Sequence, residues 1–233
     1  MKFLAACLTS LLVATGLPVW AQSNPVVVEL FTSQGCSSCP PADALLQELT
    51  TRDDVIPLAL HVDYWDYIGW KDEYADPAHT ARQRAYARYG GRKMIYTPQM
   101  IVNGQQDVVG ARALELAELI ALHRAAAQNV SVQVERRGDM LTIRAPQPAE
   151  PVGGALIVQL VRYTPLRKAH ITRGENAGLE LDYVNIVDGW TVLGQWDGTG
   201  PFAMQVELDG DRPAVVLIQR EGPGAIVAAA RVR

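Results

Sequence analysis

The sequence has few cysteines, no run of basic residues and no long apolar run after its first 21 residues. Only 3 of its 233 residues are cysteine, which excludes a scaffold held together by many disulfides. The formal net charge is -4, with acidic and basic residues interspersed, so the charge pattern typical of nucleic-acid binders is missing. We therefore expect no nucleic-acid partner. The hydrophobic share of 48% indicates a globular chain that can bury a sizeable core.

Residues 1–21 have the pattern of a secretory signal peptide. One lysine precedes an apolar stretch over residues 3–13, and Ala21 ends a small-residue cleavage pattern. This stretch is shorter than the ~20 residues that a membrane span requires, so we expect no stable membrane insertion. We predict cleavage near Ala21 and a secreted or periplasmic mature protein, which loses Cys7 with the leader and keeps two cysteines.

Residues 22–128 alternate short apolar runs with helical patterns. A strand predicted over residues 26–31, a helix over 42–50 and a strand over 55–62 form a β-α-β unit. The later predictions are a helix over 77–89, strands over 99–102 and 106–109 joined by Asn103-Gly104, and a helix over 112–127.

From residue 129 to residue 233 strands and turns replace helices. Alternating apolar residues predict a hairpin over 130–145, and six further strand-like runs follow. Asp-Gly pairs at 188, 197 and 209 are typical of turns between them. Several short strands without helices indicate an all-β, sandwich-like domain.

The two remaining cysteines, Cys36 and Cys39, form a C-x-x-C motif between the first strand and the first helix. The pair is suited to redox exchange, to a structural disulfide or to metal binding. As a structural bond, a disulfide closing about four residues stabilises by only roughly 2 kcal/mol in the chain-entropy model. Zinc needs four ligands, and no second cysteine pair supplies them. Two prolines follow the motif, and they predict a regular helix that begins at Pro41, about five residues after Cys36.

Four longer stretches give the chain a resemblance to known proteins. Residues 26–31, the motif and the loop Tyr96-Thr97-Pro98-Gln99 resemble the central strand, active-site motif and cis-proline loop of the thioredoxin-like superfamily. The whole chain resembles a family of secreted bacterial proteins known as a thioredoxin-like domain of unknown function. The matching stretches are ELFTSQGCSSCPPAD (29–43), HVDYWDYIGWKDEYADPAHTARQRAYA (61–87), YTPQMIVNG (96–104) and RGENAGLELDYVNIV (173–187).

The resemblance implies a thioredoxin-like α/β domain over residues 22–128, followed by the sandwich-like domain over 129–233. It implies that Cys36 attacks a partner's disulfide and that Cys39 resolves the mixed disulfide. It also implies a cis peptide bond before Pro98.

Four other residues are candidates for the same site. A cis-proline loop would leave the backbone of Thr97 free to pair with an extended substrate, beside Tyr96. Trp65 belongs to an aromatic connection over residues 61–70 that forms either a peptide-binding rim or packing between the domains. Glu29 is either a solvent-facing strand residue or a buried acid that moves the proton of Cys39.

These observations predict an exported thiol–disulfide oxidoreductase that uses Cys36 and Cys39. Its partners are protein or small-molecule thiols and disulfides, and we expect no cofactor and no metal. Two alternatives remain open. One is a Cu(I)-binding module on the two thiolates, and the other is a noncatalytic binding protein in which the pair is a structural disulfide.

Overall fold

The computed structural model describes residues 24–126 and 129–232. The predicted leader and residue 127, the last of the predicted third helix, lie outside the described residues. Among the described residues, no helix is long and apolar enough to cross a membrane. The elements in chain order are β1 (Val26–Thr32), α1 (Pro40–Leu49), β2 (Val55–His61), a 3-10 helix (Asp66–Ile68), α2 (Pro77–Tyr89), β3 (Gln99–Val102), β4 (Gln106–Val109), α3 (Ala113–Ala125), β5 (Gln133–Arg137), β6 (Met140–Ala145), β7 (Leu156–His170), β8 (Glu180–Trp196), β9 (Phe202–Glu207), β10 (Ala214–Arg220) and β11 (Ile226–Val232).

The strands form a large mixed sheet and a separate antiparallel sheet. The large sheet has eight strands in the order β11-β10-β7-β8-β2-β1-β3-β4, and the other has three in the order β5-β6-β9. β1 and β2 are parallel, whereas β3 runs antiparallel to β1. The carboxyl ends of β1 and β2 therefore lie at the same edge of the sheet, and the Cys36–Cys39 motif follows β1 at that edge.

β1 is buried on both faces because its side chains alternate between two cores. Val26, Val28 and Leu30 pack against α1 and α3. Val27 and Phe31 point the opposite way and pack against α2, β10 and β11. Burial on both faces explains why the sequence of β1 is an almost continuous apolar run rather than an alternating one.

β10 has the same double burial, and it connects the first half of the chain to the three-stranded sheet. Val215 and Leu217 share a core with β1 and β2. Val216 and Ile218, on the other face, share a core with β5 and β6. The three-stranded sheet thus covers the outer face of β7 and β10, which is a sandwich-like packing of two sheets.

The second half of the chain is joined to the first by a strand pair, whereas the sequence predicted a separate domain. β8 lies parallel to β2 with one bridge, Ala59 to Ile186. Asn185 strengthens this junction because its Nδ2 donates a hydrogen bond to the carbonyl of Pro57 at 2.9 Å. The alternation of apolar residues shows that a segment is a strand, but it carries no information about which sheet the strand enters.

The predicted turn at Asp188-Gly189 is wrong, because β8 continues through it. Gly189 pairs with Arg162, and Val187 pairs with Tyr163, so Asp188 is an extra residue in the ladder. Such a bulge bends a strand without ending it. The Asp188 carboxylate accepts hydrogen bonds from Thr164 and Arg212.

The junction predicts a difference between two substitutions of Asn185, whose φ is +46°. This left-handed conformation costs most residues roughly 1–2 kcal/mol. Asn185→Ala should lower the free energy of unfolding by about 2 kcal/mol, since it adds strain and removes the bond to Pro57, whereas Asn185→Gly should lower it by about 1 kcal/mol. Urea unfolding measures both, and a larger loss for glycine than for alanine would contradict this account of the junction.

Candidate functional site

Cys36 and Cys39 form a disulfide where β1 ends and α1 begins. Their Cα atoms are 5.4 Å apart, and both residues are fully buried, with 0% exposure. The helix begins at Pro40, one residue earlier than predicted. The carbonyl of Cys39 accepts the N–H groups of Ala42 and Asp43. This closes the first turn around two prolines that have no N–H to satisfy.

Asp43 lies one helical turn after Cys39, so the two side chains are on the same face of α1. Asp43 is 6% exposed. Within residues 24–126 and 129–232, neither of its carboxylate oxygens makes a hydrogen bond. Burial raises the pKa of Asp43 to about 7, although His61 and the nearby hydroxyl of Thr32, which is outside normal hydrogen-bonding geometry, partly oppose the shift. A carboxylic acid with a pKa near neutral is therefore buried one helical turn after Cys39.

Next to Asp43 is a buried, hydrogen-bonded pair formed by His61 and Asp72. His61 ends β2 opposite Thr32 in the parallel register, and its Nδ1–H donates to Asp72 Oδ2 at 2.7 Å. The N–H groups of Gln34 and Tyr74 donate to the same carboxylate. Burial alone would raise the pKa of Asp72, but His61 and these donors hold it below its ordinary value.

Aromatic rings enclose this hydrogen-bonded pair. The rings of Tyr74 and Tyr183 stand edge-on to the His61 ring, at centroid distances of 5.4 and 4.8 Å. Burial, followed by the charges of Asp43 and Asp72, raises the pKa of Tyr183. One ionisable cluster (Asp43, His61, Asp72 and Tyr183) thus extends from the disulfide into the protein.

Glu29 is fully buried, but it belongs to a different cluster from the disulfide. Its Oε1 accepts a 2.6 Å bond from Arg82, and its Oε2 accepts the hydroxyl of Tyr86 at 2.5 Å. Arg82 also donates to Gln219 of β10 and lies 4.0 Å from the ring centroid of Trp190. Glu29 faces away from α1 and is neutralised by Arg82, so this carboxylate has the contacts of a structural ion pair between the two halves.

The structure brings Trp65 and Thr97 to the motif. The Trp65 Nε1–H donates to Thr97 Oγ1 at 2.8 Å, and the Thr97–Pro98 peptide bond is cis. Gly35 precedes Cys36, and a Cβ on it would lie 3.1 Å from Ile68 and 3.2 Å from Trp65. The aromatic connection therefore packs on the motif, with Trp65 linking it to the loop that carries Pro98.

Tyr96 is not brought to the motif by its side-chain hydrogen bond. Its hydroxyl donates to Asp107 of β4 at 2.5 Å, and its carbonyl accepts from Gln83 of α2 at 2.7 Å. These contacts tie Tyr96 to the edge of the sheet and to α2. Among the predicted substrate-contacting residues, Thr97 and Trp65 are the ones that the structure links to each other.

The connection between β7 and β8, residues 171–179, covers the motif and is called the cover loop below. Asn176 Nδ2 donates to the carbonyls of Gln34 and Cys36 at 2.8 and 3.0 Å. The Glu175 carboxylate accepts the N–H of Ser37 at 3.3 Å. The sequence of these residues is typical of a turn between strands, and nothing in a turn sequence shows which distant segment it contacts.

Together, these elements define a mixed α/β protein with a C-x-x-C disulfide, an ionisable cluster behind it and a loop over it. The chain belongs to the family described as "Protein of unknown function (DUF1223)", whose model matches residues 27–219. A search of curated proteins finds no match.

Two solved structures are similar over most of the chain. The crystal structure of protein AGR_C_4864 from Agrobacterium tumefaciens is 34% identical, with 91% of this chain and 96% of that chain covered and a TM-score of 0.77. HBP35 of Porphyromonas gingivalis is 15% identical, with 90% and 75% covered and a TM-score of 0.63. The second likeness, at this identity, shows the fold alone.

The raised pKa of Asp43 predicts a pH-dependent effect of Asp43→Asn on stability. Between the unfolded pKa of 3.8 and the folded value of about 7, the folded state binds more protons than the unfolded state, so its stability falls as pH rises. Asparagine lacks this penalty. The stability of Asp43→Asn relative to the wild type should therefore grow from pH 4 to pH 8 by up to about 4 kcal/mol.

Denaturant unfolding at a series of pH values measures this difference. Asp107→Asn is the matched control, because Arg92 and Tyr96 outweigh burial and lower the pKa of Asp107. The stability that the Asp107 carboxylate contributes is present above the unfolded pKa of 3.8 and is lost as pH falls below it. The stability difference of this control should therefore be nearly constant above that pKa. A flat difference for Asp43→Asn would contradict the buried, unpaired state of its carboxyl group.

Proposed function

We propose that this protein is an exported thiol–disulfide oxidoreductase in which Cys36 and Cys39 form the redox-active pair. Its substrates are thiols and disulfides of other molecules. A thioredoxin-like arrangement supports this proposal: β1 and β2 are parallel, β3 and β4 follow antiparallel in the order β2-β1-β3-β4, and the motif joins β1 to α1. The leader pattern supports export.

Exchange at this site transfers two electrons from a pair of partner thiols to the Cys36–Cys39 disulfide. A partner thiolate attacks Cys36 Sγ, the bond between the two sulfurs breaks, and the electron pair leaves on Cys39 Sγ. The protonated carboxyl group of Asp43 gives its proton to Cys39 and becomes a carboxylate. A second partner thiolate then attacks the partner sulfur of the mixed disulfide and releases Cys36 as a thiolate, so the partner is oxidised to a disulfide and the protein is reduced to a Cys39 thiol and a Cys36 thiolate, which takes a proton from solvent to complete the dithiol. The reverse sequence reduces a partner disulfide, with the Asp43 carboxylate accepting the proton.

The observation that carries the proposal is the unpaired, buried carboxyl group of Asp43 behind Cys39. A buried carboxyl group without a partner destabilises the fold whenever it ionises, and a structural disulfide has no use for one. A redox-active disulfide does need a proton donor when one of its sulfur atoms leaves into a buried site. A buried thiolate is unfavourable until it is protonated. Titratable groups with shifted pKa values are typical of functional sites.

One observation favours the second candidate, a noncatalytic protein with a structural disulfide. Both cysteines are fully buried, and an attacking thiolate has to reach a sulfur atom before exchange begins. The oxidoreductase proposal therefore requires that the cover loop moves away from Cys36 during each reaction.

A redox titration separates the two candidates. The mature protein is equilibrated in glutathione buffers and its free thiols are counted by mass tagging. We expect a potential well above about -300 mV, whereas a value below it would identify a structural disulfide. Cys39→Ser should form a mixed disulfide with an oxidised two-cysteine model peptide, because the Cys36 thiolate attacks the peptide disulfide, and Cys36→Ser should not. Repeating the titration with copper tests whether the two thiolates bind Cu(I). Tight copper binding without thiol–disulfide exchange would favour a Cu(I)-binding module.

Asp43→Asn should slow exchange if Asp43 moves the proton of Cys39. We expect the rate of reaction with a reduced two-cysteine peptide at pH 7 to fall about tenfold or more, in the lower range of acid–base effects. The wild-type rate should also change slope near pH 7, and this change should be absent in the variant. An unchanged pH profile would show that Asp43 affects stability only.

A further inference from the structure

The cover loop determines what can reach Cys36. Ser37 and Ser38 are exposed while the two cysteines beside them are not, so the motif is at the surface and its sulfur atoms are covered. Gly174 of the cover loop packs close to Trp70 and Ile68, since a Cβ on it would lie 3.3 Å from Trp70. The cover therefore consists of two layers, the cover loop and the aromatic connection.

The cover loop has an internal structure of its own. Its two ends pair, because the N–H of Ile171 donates to the carbonyl of Leu179 and the N–H of Gly178 donates to the carbonyl of Ile171. Its tip is closed by the bond from Ala177 to Gly174. The loop can keep these bonds while it separates from the motif, so opening breaks the hydrogen bonds of Asn176 and Glu175 and the packing of Gly174 against Trp70 and Ile68.

Asn176 makes the stronger of these two contacts. It is 3% exposed, and its single Nδ2 satisfies two carbonyls that are two residues apart, those of Gln34 and Cys36. When Asn176 leaves, the carbonyl of Gln34 loses its donor, while that of Cys36 keeps the N–H of Cys39. A buried acceptor without a donor is unfavourable. A partner that brings N–H groups to the same place compensates for this loss, while a thiol without such donors does not.

The geometry points to Asn176 as the residue that selects the partner at this site. Its amide occupies the carbonyls of Gln34 and Cys36 in the way a donor from an extended polypeptide would, so a polypeptide carrying thiols can replace it. A small thiol without N–H donors meets a closed site. This inference rests on the proposed function and names its substrate class, which is polypeptide thiols and disulfides.

Reduction rates of the oxidised protein test the inference with three reagents: a water-soluble phosphine, 2-mercaptoethanol and a reduced two-cysteine peptide. The variants are Asn176→Ala and, in case alanine disturbs folding, Asn176→Asp, which keeps the size and lacks the donor. Asn129→Ala is the matched control, because Asn129 also donates its side-chain amide to a backbone carbonyl, that of Glu150, in a different loop.

We expect both Asn176 variants to react with the phosphine and with 2-mercaptoethanol about tenfold faster or more, in line with the loss of one or two hydrogen bonds. The rate with the peptide should rise less than threefold, and Asn129→Ala should match the wild type. Rates within twofold of the wild type for both Asn176 variants would overturn the inference. Equal acceleration with all three reagents would overturn the selection of polypeptides.

The phosphine separates failure of this inference from failure of the proposed function. It reduces a disulfide without thiol exchange, so it reports the opening of the cover loop alone. If the phosphine reacts faster with the Asn176 variants while neither thiol exchanges with any form, Asn176 closes the site, but the protein is not an oxidoreductase and the selection of polypeptide thiols is overturned.

Discussion

The parallel contact between β2 and β8 positions the elements on which the candidate site depends. This contact fixes the position of β8, and with it the cover loop that precedes β8, relative to the disulfide. The contact is short, a single bridge between Ala59 and Ile186, and it is reinforced by Asn185 and by the core that β10 shares with β1. Because this core is closely packed, small changes in it are transmitted to the loops at its edge. The disulfide, the cover loop and the ionisable cluster are therefore parts of one structure.

The burial that closes the site also lowers the stability of the fold, because it places ionisable groups away from water. Asp43 and the pair of His61 and Asp72 lie in a region of low dielectric, where an unpaired charge destabilises and a paired one is held firmly. The carboxylate of Asp72 has three partners, which favour its ionised form, whereas that of Asp43 has none that meets hydrogen-bond geometry and remains able to gain or lose a proton. Asp72 also accepts from the backbone of Gln34, whose carbonyl binds Asn176. The cluster is thus connected to the disulfide through α1 and to the cover loop through Gln34.

Much of the local structure could be predicted from the sequence, and most of the site could not. The strands at residues 99–102 and 106–109 follow from their apolar pattern and from the Asn103-Gly104 turn, because these signals are local. Glu29 was a candidate because it is a carboxylate in an apolar strand, but its partner, Arg82, is 53 residues away on α2, and sequence spacing does not show that contact. For Asp43, the sequence shows that it lies four residues after Cys39. It does not show that the carboxyl group lacks hydrogen bonds, because that is a property of the packed fold. Asn176 lies 140 residues from Cys36, and only the tertiary structure shows their contact.

A covered disulfide is consistent with chemistry when the cover is held by few bonds and has its own internal structure. Complete burial of Cys36 and Cys39 would prevent exchange if they lay inside a core. They lie instead at the edge of the large sheet, beside two exposed serines. The loop above them makes hydrogen bonds to the motif through two polar side chains. Opening such a loop breaks a small number of contacts and leaves the large sheet intact, so the free energy required is small compared with that of global unfolding. The closed form then protects the disulfide from unselective thiols, and a partner able to replace the donor of Asn176 gains access. Burial and reactivity are compatible here because different parts of the chain determine them.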